Sequence, residues 1–104
     1  MTRIRLASVG DIPDETGLRV DIDGYRIALF RVEGDIYGIA DRCSHEEASL
    51  AEGDLFDDEI ECPKHGSAFN VRTGAVLNLP ATEPVARYDV VVEGDDVYLI
   101  LEEE

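Results

Sequence analysis

Apolar and polar residues alternate with a period of two along most of this chain, and that pattern restricts it to β-strands. Ile4 and Leu6 alternate with Arg3 and Arg5, and Leu18, Val20 and Ile22 with Arg19, Asp21 and Asp23. Successive strand side chains point to opposite faces, so each run can bury one face and wet the other. Asp23-Gly24 then supplies a tight hairpin, because a type I′ turn needs positive φ at both central residues. Tyr25–Val32 and Ile36–Ala40 read as two further strands joined by Glu33-Gly34-Asp35. Towards the C-terminus Ala86, Tyr88, Val90 and Val92 share one face, a turn follows at Glu93-Gly94-Asp95-Asp96, and Val97–Leu101 closes the series. No stretch has the apolar spacing of a three-turn amphipathic helix, and Ser44–Ala51 holds a short helical turn at most. The expected fold is all-β, an antiparallel sandwich or barrel of short strands.

The regularity breaks between about residues 41 and 84. This region holds both Cys, both His and three of the four Pro. Short strands are expected at Glu59–Glu61, Ala68–Arg72 and Ala75–Leu77, with Thr73-Gly74 as a turn. We read the region as an insertion of loops and hairpins within a single domain spanning residues 1–104, a length suited to one domain. The final Glu102-Glu103-Glu104 is expected to be a solvated end.

Charge narrows the partners. Nine Lys and Arg against 24 Asp and Glu give a formal net charge of −15. Nucleic acid and anionic membranes carry the same sign and are disfavoured. A 44% apolar content sets the chain apart from disordered acidic tails. No apolar run reaches the ~18 residues of a membrane span, and Met-Thr-Arg-Ile-Arg-Leu lacks the apolar stretch of a signal peptide. A cytoplasmic location is expected. A domain of this size buries only about 60–68% of its unfolded surface, so an internal clamp such as a metal is in keeping with it.

Two short segments carry the chemistry: Cys43-Ser44-His45 and Cys62-Pro63-Lys64-His65. Sixteen residues separate His45 from Cys62, enough for a loop, a short hairpin and a return. All the Cys and His of the chain fall in these two segments. Buried thiols with unrelated histidines are one use of them. A Cys43–Cys62 disulfide is another, disfavoured by a reducing cytoplasm. A structural Cys₂His₂ zinc site is a third, although zinc fingers usually pair Cys with Cys and His with His. A [2Fe–2S] cluster with two Cys on one iron and two His on the other uses one Cys and one His from each segment. Replacing two thiolates by neutral imidazoles removes negative charge, makes an added electron easier to accept and raises the potential. Such centres span about −150 to +300 mV, against about −400 mV for plant-type ferredoxins.

Cys43-x-His45…Cys62-x-x-His65-Gly66-Ser67 resembles the Rieske motif, and nearly the whole chain is similar to the small soluble Rieske-type ferredoxins. The resemblance implies an electron carrier with one [2Fe–2S] cluster, served by a flavin-containing, NAD(P)H-dependent ferredoxin reductase and delivering to an oxygenase or similar acceptor. It implies Cys43 and Cys62 as ligands of the inner iron and His45 and His65 as ligands of the outer one. Ser67 matches a hydrogen-bond donor to cluster sulfur, or is a plain turn serine. Pro80, in Asn78-Leu79-Pro80-Ala81, sits where the family has a loop shielding the cluster, or else ends a strand. Lys64 is a docking contact or a solvated loop residue. Gly66 and Gly53 are expected where the backbone is tight.

Departures from the respiratory-type members point to a lower potential. Their extra disulfide is impossible here, because the matching positions are Ala48 and Lys64. Phe69 replaces a Tyr whose hydroxyl bonds a ligand sulfur, and each lost donor lowers the potential. Glu46 and Glu47 beside His45 push the same way, blunted by solvent. The expected potential lies in the lower half of the Rieske range. The chain is not read as an enzyme: a 2-His-1-carboxylate oxygenase iron would need histidines already committed, and no nucleophile triad, P-loop or dinucleotide fingerprint is present. A Rieske-type small subunit of a larger oxidoreductase, similar to those of nitrite reductases, is the other class of reading.

Overall fold

Asp23 and Gly24 both take positive φ, 49° and 83°, as the hairpin predicted from that dipeptide requires. They join β2 (Leu18–Ile22) to β3 (Tyr25–Val32) with Ile22 opposite Tyr25. The next hairpin is built the same way. Glu33 and Gly34 sit at φ 52° and 87°, and β4 (Asp35–Ala40) begins one residue earlier than the sequence suggested. The structure, a computed structural model, describes residues 2–42, 48–63, 66–78 and 83–101.

The remaining strands are β1 (Thr2–Ser8), β5 (Asp54–Phe56), β6 (Glu59–Glu61), β7 (Ala68–Asn70), β8 (Arg87–Tyr88), β9 (Val90–Glu93) and β10 (Asp96–Leu101), with single 3₁₀ turns at Val9–Asp11 and Leu50–Glu52. They form three antiparallel sheets, ordered β1-β10-β9, β2-β3-β4-β8 and β5-β6-β7. The all-β antiparallel architecture expected from the alternation is thus present. The third sheet lies in the chain between β4 and β8, within the region whose pattern was irregular. No described helix is long and apolar enough to cross a membrane.

Strand β3 is buried on both faces. Ile27 and Leu29 enter one core with Val97, Leu99, Ala7 and Ile12. Ala28, Phe30 and Val32 enter a second core with Leu50, Ile60, Phe69 and Val71. Each fully buried large aliphatic or aromatic side chain contributes about 1.5–3 kcal/mol, so this strand is stabilised from two sides.

Three local expectations are corrected. The run from Ala86 to Val92 is not one strand. At Asp89 the chain leaves β4, where Tyr88 lies opposite Gly38, and joins β10, where Val90 lies opposite Leu99. Gly38 makes room for this crossing, since a Cβ there would come within 3.1 Å of Val90 Cγ1. Period-two alternation runs through both pieces and cannot mark the change of sheet. Ala86 and Val92 are consequently exposed, and only Tyr88 and Val90 pack inward. The second correction is at Ala75–Leu77, which makes one bridge, Val76 to Phe69, without becoming a strand. The third is β7, which stops at Asn70 because the Asn70 side-chain oxygen accepts the Arg72 backbone N–H and turns the chain. The helical turn foreseen near Ala51 occurs at Leu50–Glu52, and the first part of the Ser44–Ala51 segment lies outside the described residues.

Gly53 shows how tightly the inserted sheet closes. A Cβ at this position would lie 2.0 Å from the Glu61 carbonyl oxygen, although φ is an ordinary −77°. Gly53→Ala is expected to cost about 1–3 kcal/mol as overpacking, read by denaturant unfolding. An unchanged midpoint would show that the β5–β6 pair yields to a methyl group.

Candidate metal centre

Two loops lead out of the sheets towards the motif segments, and each is closed differently. Strand β6 ends at Glu61, and Cys62 follows with only 1% of its surface exposed. The Cys62 backbone N–H donates to the Ser67 carbonyl at 2.6 Å, and Gly66 N–H donates to the Cys62 carbonyl at 3.2 Å. Gly66 sits at φ 76°, a conformation that L side chains rarely adopt, which allows so tight a return. Ser67 is fully buried, and Phe69 behind it is a core residue without a hydroxyl. This second loop is thus closed by its own backbone.

The first loop is closed by a carboxylate. Asp41 follows β4 and is completely buried. Its Oδ2 accepts from Ser49 Oγ at 2.7 Å and from Arg26 Nε at 3.3 Å, and its Oδ1 accepts the Ala51 N–H at 2.7 Å. Arg19 Nε adds a longer ion pair at 3.7 Å. The Arg19 guanidinium is held above its ordinary pKa, first by its hydrogen bond to Asp21, with Asp41 and Glu52 adding attraction and desolvation opposing. From the other side Thr16 Oγ1 reaches the carbonyls of Ala51 and Gly53 at 2.5 and 2.8 Å. A third tie comes from Asn78, whose Oδ1 accepts the Ala68 N–H at 2.5 Å just before the Pro80 segment.

The described ends of the two motif loops converge. Ala48 and Cys62 belong to one apolar cluster with Leu50, Ala51, Ile60 and Phe69. Of the site residues expected from the sequence, Cys62 and Ser67 are seen in this buried position. Cys43, His45, His65 and Pro80, together with Lys64, lie outside the described residues. A thiol withdrawn from water among apolar groups suits a buried thiolate ligand, whose charge the bound metal would neutralise. The chemistry of Cys62 and its neighbours therefore fits an iron–sulfur centre.

Sequence reasoning passed over Asp41, Ser49 and Asn78 as contributors. One signal was readable: Asp41 follows Tyr37 and Ile39 at two-residue intervals, so a carboxylate stands in the inward phase of β4. Its partners Ser49 and Ala51 are eight and ten residues away, which no periodicity specifies.

The all-β fold with a buried cysteine in its inserted loops is in keeping with an iron–sulfur protein, and comparison with known proteins gives the class. Residues 2–89 match the Rieske [2Fe–2S] domain, so the chain belongs to this family and carries one [2Fe–2S] cluster. The 3-phenylpropionate/cinnamic acid dioxygenase ferredoxin subunit of Escherichia coli (strain K12) is 48% identical over 99% of this chain and 97% of its own length. The ferredoxin of carbazole 1,9a-dioxygenase from Nocardioides aromaticivorans IC177 superposes with a TM-score of 0.90 at 36% identity, covering 98% of this chain and all of that one. A ferredoxin in a complex of reduced oxygenase and oxidized ferredoxin of carbazole 1,9a-dioxygenase superposes at 0.87 with 38% identity, over 98% of this chain and 95% of that one. The chain is a ferredoxin, an electron carrier rather than a catalyst.

Gly66→Ala is expected to cost about 1–2 kcal/mol from the left-handed backbone and to shorten the lifetime of the cluster. Visible absorbance after a chelator challenge measures the second effect. Wild-type persistence of that absorbance would show that the 62–67 turn does not need a glycine.

Proposed function

We propose that this ferredoxin is a cytoplasmic carrier taking single electrons from a flavin-containing, NAD(P)H-dependent ferredoxin reductase to a terminal oxygenase. The observation that carries this reading is the near full-length likeness to a dioxygenase ferredoxin subunit. It is supported by the related ferredoxin found together with its oxygenase. Residues 1–104 act as one domain whose insertion, about residues 41–84, carries the centre. Cys43 and Cys62 ligate one iron, and His45 and His65 ligate the other. The bound cluster supplies a one-electron couple at a potential raised by its two neutral imidazoles.

The protein's own residues shape that couple. Cys62 lies in an apolar cluster that keeps water from its sulfur. Ser67, fully buried, is assigned the role of hydrogen-bond donor to cluster sulfur, and Phe69 has no hydroxyl where the respiratory-type proteins have a Tyr. Pro80 is assigned the shielding role, and Asn78, two residues before it, is tied by its side-chain oxygen to the Ala68 N–H. The balance of donors places the potential in the lower half of the Rieske range.

Aerobic purification tests the assignment. A red-brown protein with equal iron and acid-labile sulfide is expected, with a low average g value on reduction. Cys43→Ser, Cys62→Ser, His45→Ala and His65→Ala should each abolish the cluster. In the wild type the midpoint potential should lie in the lower half of the Rieske range, and a value above about +150 mV would refute that placement. A colourless zinc protein, or a ligand variant with full iron, would overturn the assignment.

The charge of −15 makes long-range attraction to basic partner surfaces the source of fast encounter. Electron-transfer rates from the reductase should fall steeply as salt shortens the screening length to about 8 Å and below. Rates indifferent to ionic strength would reduce the acidic surface to a solubilising role.

A further inference from the structure

Asp41, Ser49 and Ser67 are the buried polar or charged side chains among the described residues, and Asp41 alone of them is ionisable. A buried carboxylate is costly unless paired and hydrogen-bonded, and Asp41 is both. Its position relative to the motif is specific. It stands two residues before Cys43, and the groups it holds, Ser49 and Ala51, lie beyond His45. The carboxylate thus binds both ends of residues 42–48 together and moors them through Arg26 to β3.

We infer that Asp41 is a positioning residue for the first ligand pair: its buried carboxylate fixes where Cys43 and His45 are presented. This rests on the proposed ligand set. Among the described residues the second loop is closed instead by the Cys62–Ser67 and Gly66–Cys62 backbone hydrogen bonds. The two loops therefore differ in what holds them. Removing the Asp41 charge should disturb the Cys43/His45 side and spare the Cys62/His65 side.

Asp41→Asn nearly preserves shape but not acceptor capacity. One oxygen can serve the Ala51 N–H, and the Ser49 hydroxyl can rotate to accept from the new amide. The amide hydrogens then face the Arg26 Nε–H, donor against donor, and the guanidinium loses its buried counter-charge. Groups supporting metal ligands characteristically change metal retention by about 10–100-fold when removed.

The test uses the purified holoprotein. Asp41→Asn should lose its visible absorbance to a chelator about 10- to 100-fold faster than wild type. In the reduced protein the nitrogen hyperfine couplings of the two ligand histidines should diverge, one shifting and one staying at its wild-type value. Ser49→Ala, which keeps the charge and removes one hydrogen bond, should show a smaller change of the same kind and carries the test should Asp41→Asn fail to fold. Val97→Ala, in the core on the far side of β3, controls for general destabilisation and should leave the hyperfine couplings unmoved. Wild-type couplings and retention in both loop variants would overturn the inference, as would equal acceleration in Val97→Ala. Failure of the ligand set itself registers separately, as full iron in Cys43→Ser.

Discussion

The burial of β3 on both faces is the constraint on which the rest of the molecule depends. Ile27 and Leu29 anchor the β1-β10-β9 sheet, and Ala28 and Phe30 support the inserted sheet and the loops that leave it. A strand with one wet face would secure only one of these layers. The domain is small and buries limited surface. Using one strand for two cores gives it a base for the inserted loops, with no α-helix packed across either sheet among the described residues.

From that base the centre is held by unlike means. A backbone turn with Gly66 in the left-handed region closes the Cys62 loop. A buried charge bonded to a hydroxyl, an amide and a guanidinium closes the loop that begins after Asp41. A backbone closure is specified locally and tolerates changes elsewhere. A carboxylate closure depends on Arg26 in β3 and on Ser49, so it ties the loop to the sheet. The arrangement links fold stability and site geometry through a few polar contacts in an otherwise apolar surround.

How much of this could be read from residues alone follows from the range of each signal. Asp23-Gly24 and the alternation of β1 to β4 act over neighbouring residues, and they were legible. So was the Rieske family, from the Cys-x-His and Cys-x-x-His pattern, because metal chemistry limits which residue types serve. The crossing at Asp89 was not, since Tyr88 and Val90 keep the same phase while changing sheets. The strand at Asp54–Phe56 is too short to establish a period. Asp41 was passed over for another reason: acidic residues are abundant here, and its phase with Tyr37 and Ile39 marks it as inward without naming the contacts that hold it.

The mooring of Asp41 to β3 has a kinetic meaning. Electron transfer is slowed whenever ligands and surroundings must move as charge arrives. A carboxylate fastened through Arg26 to a strand held on both faces has few soft coordinates of its own along which to rearrange. Preorganised dipoles and charges then meet the new charge without first having to turn. In these terms the two-sided strand limits what Asp41 and its partners add to the reorganisation that an arriving electron demands.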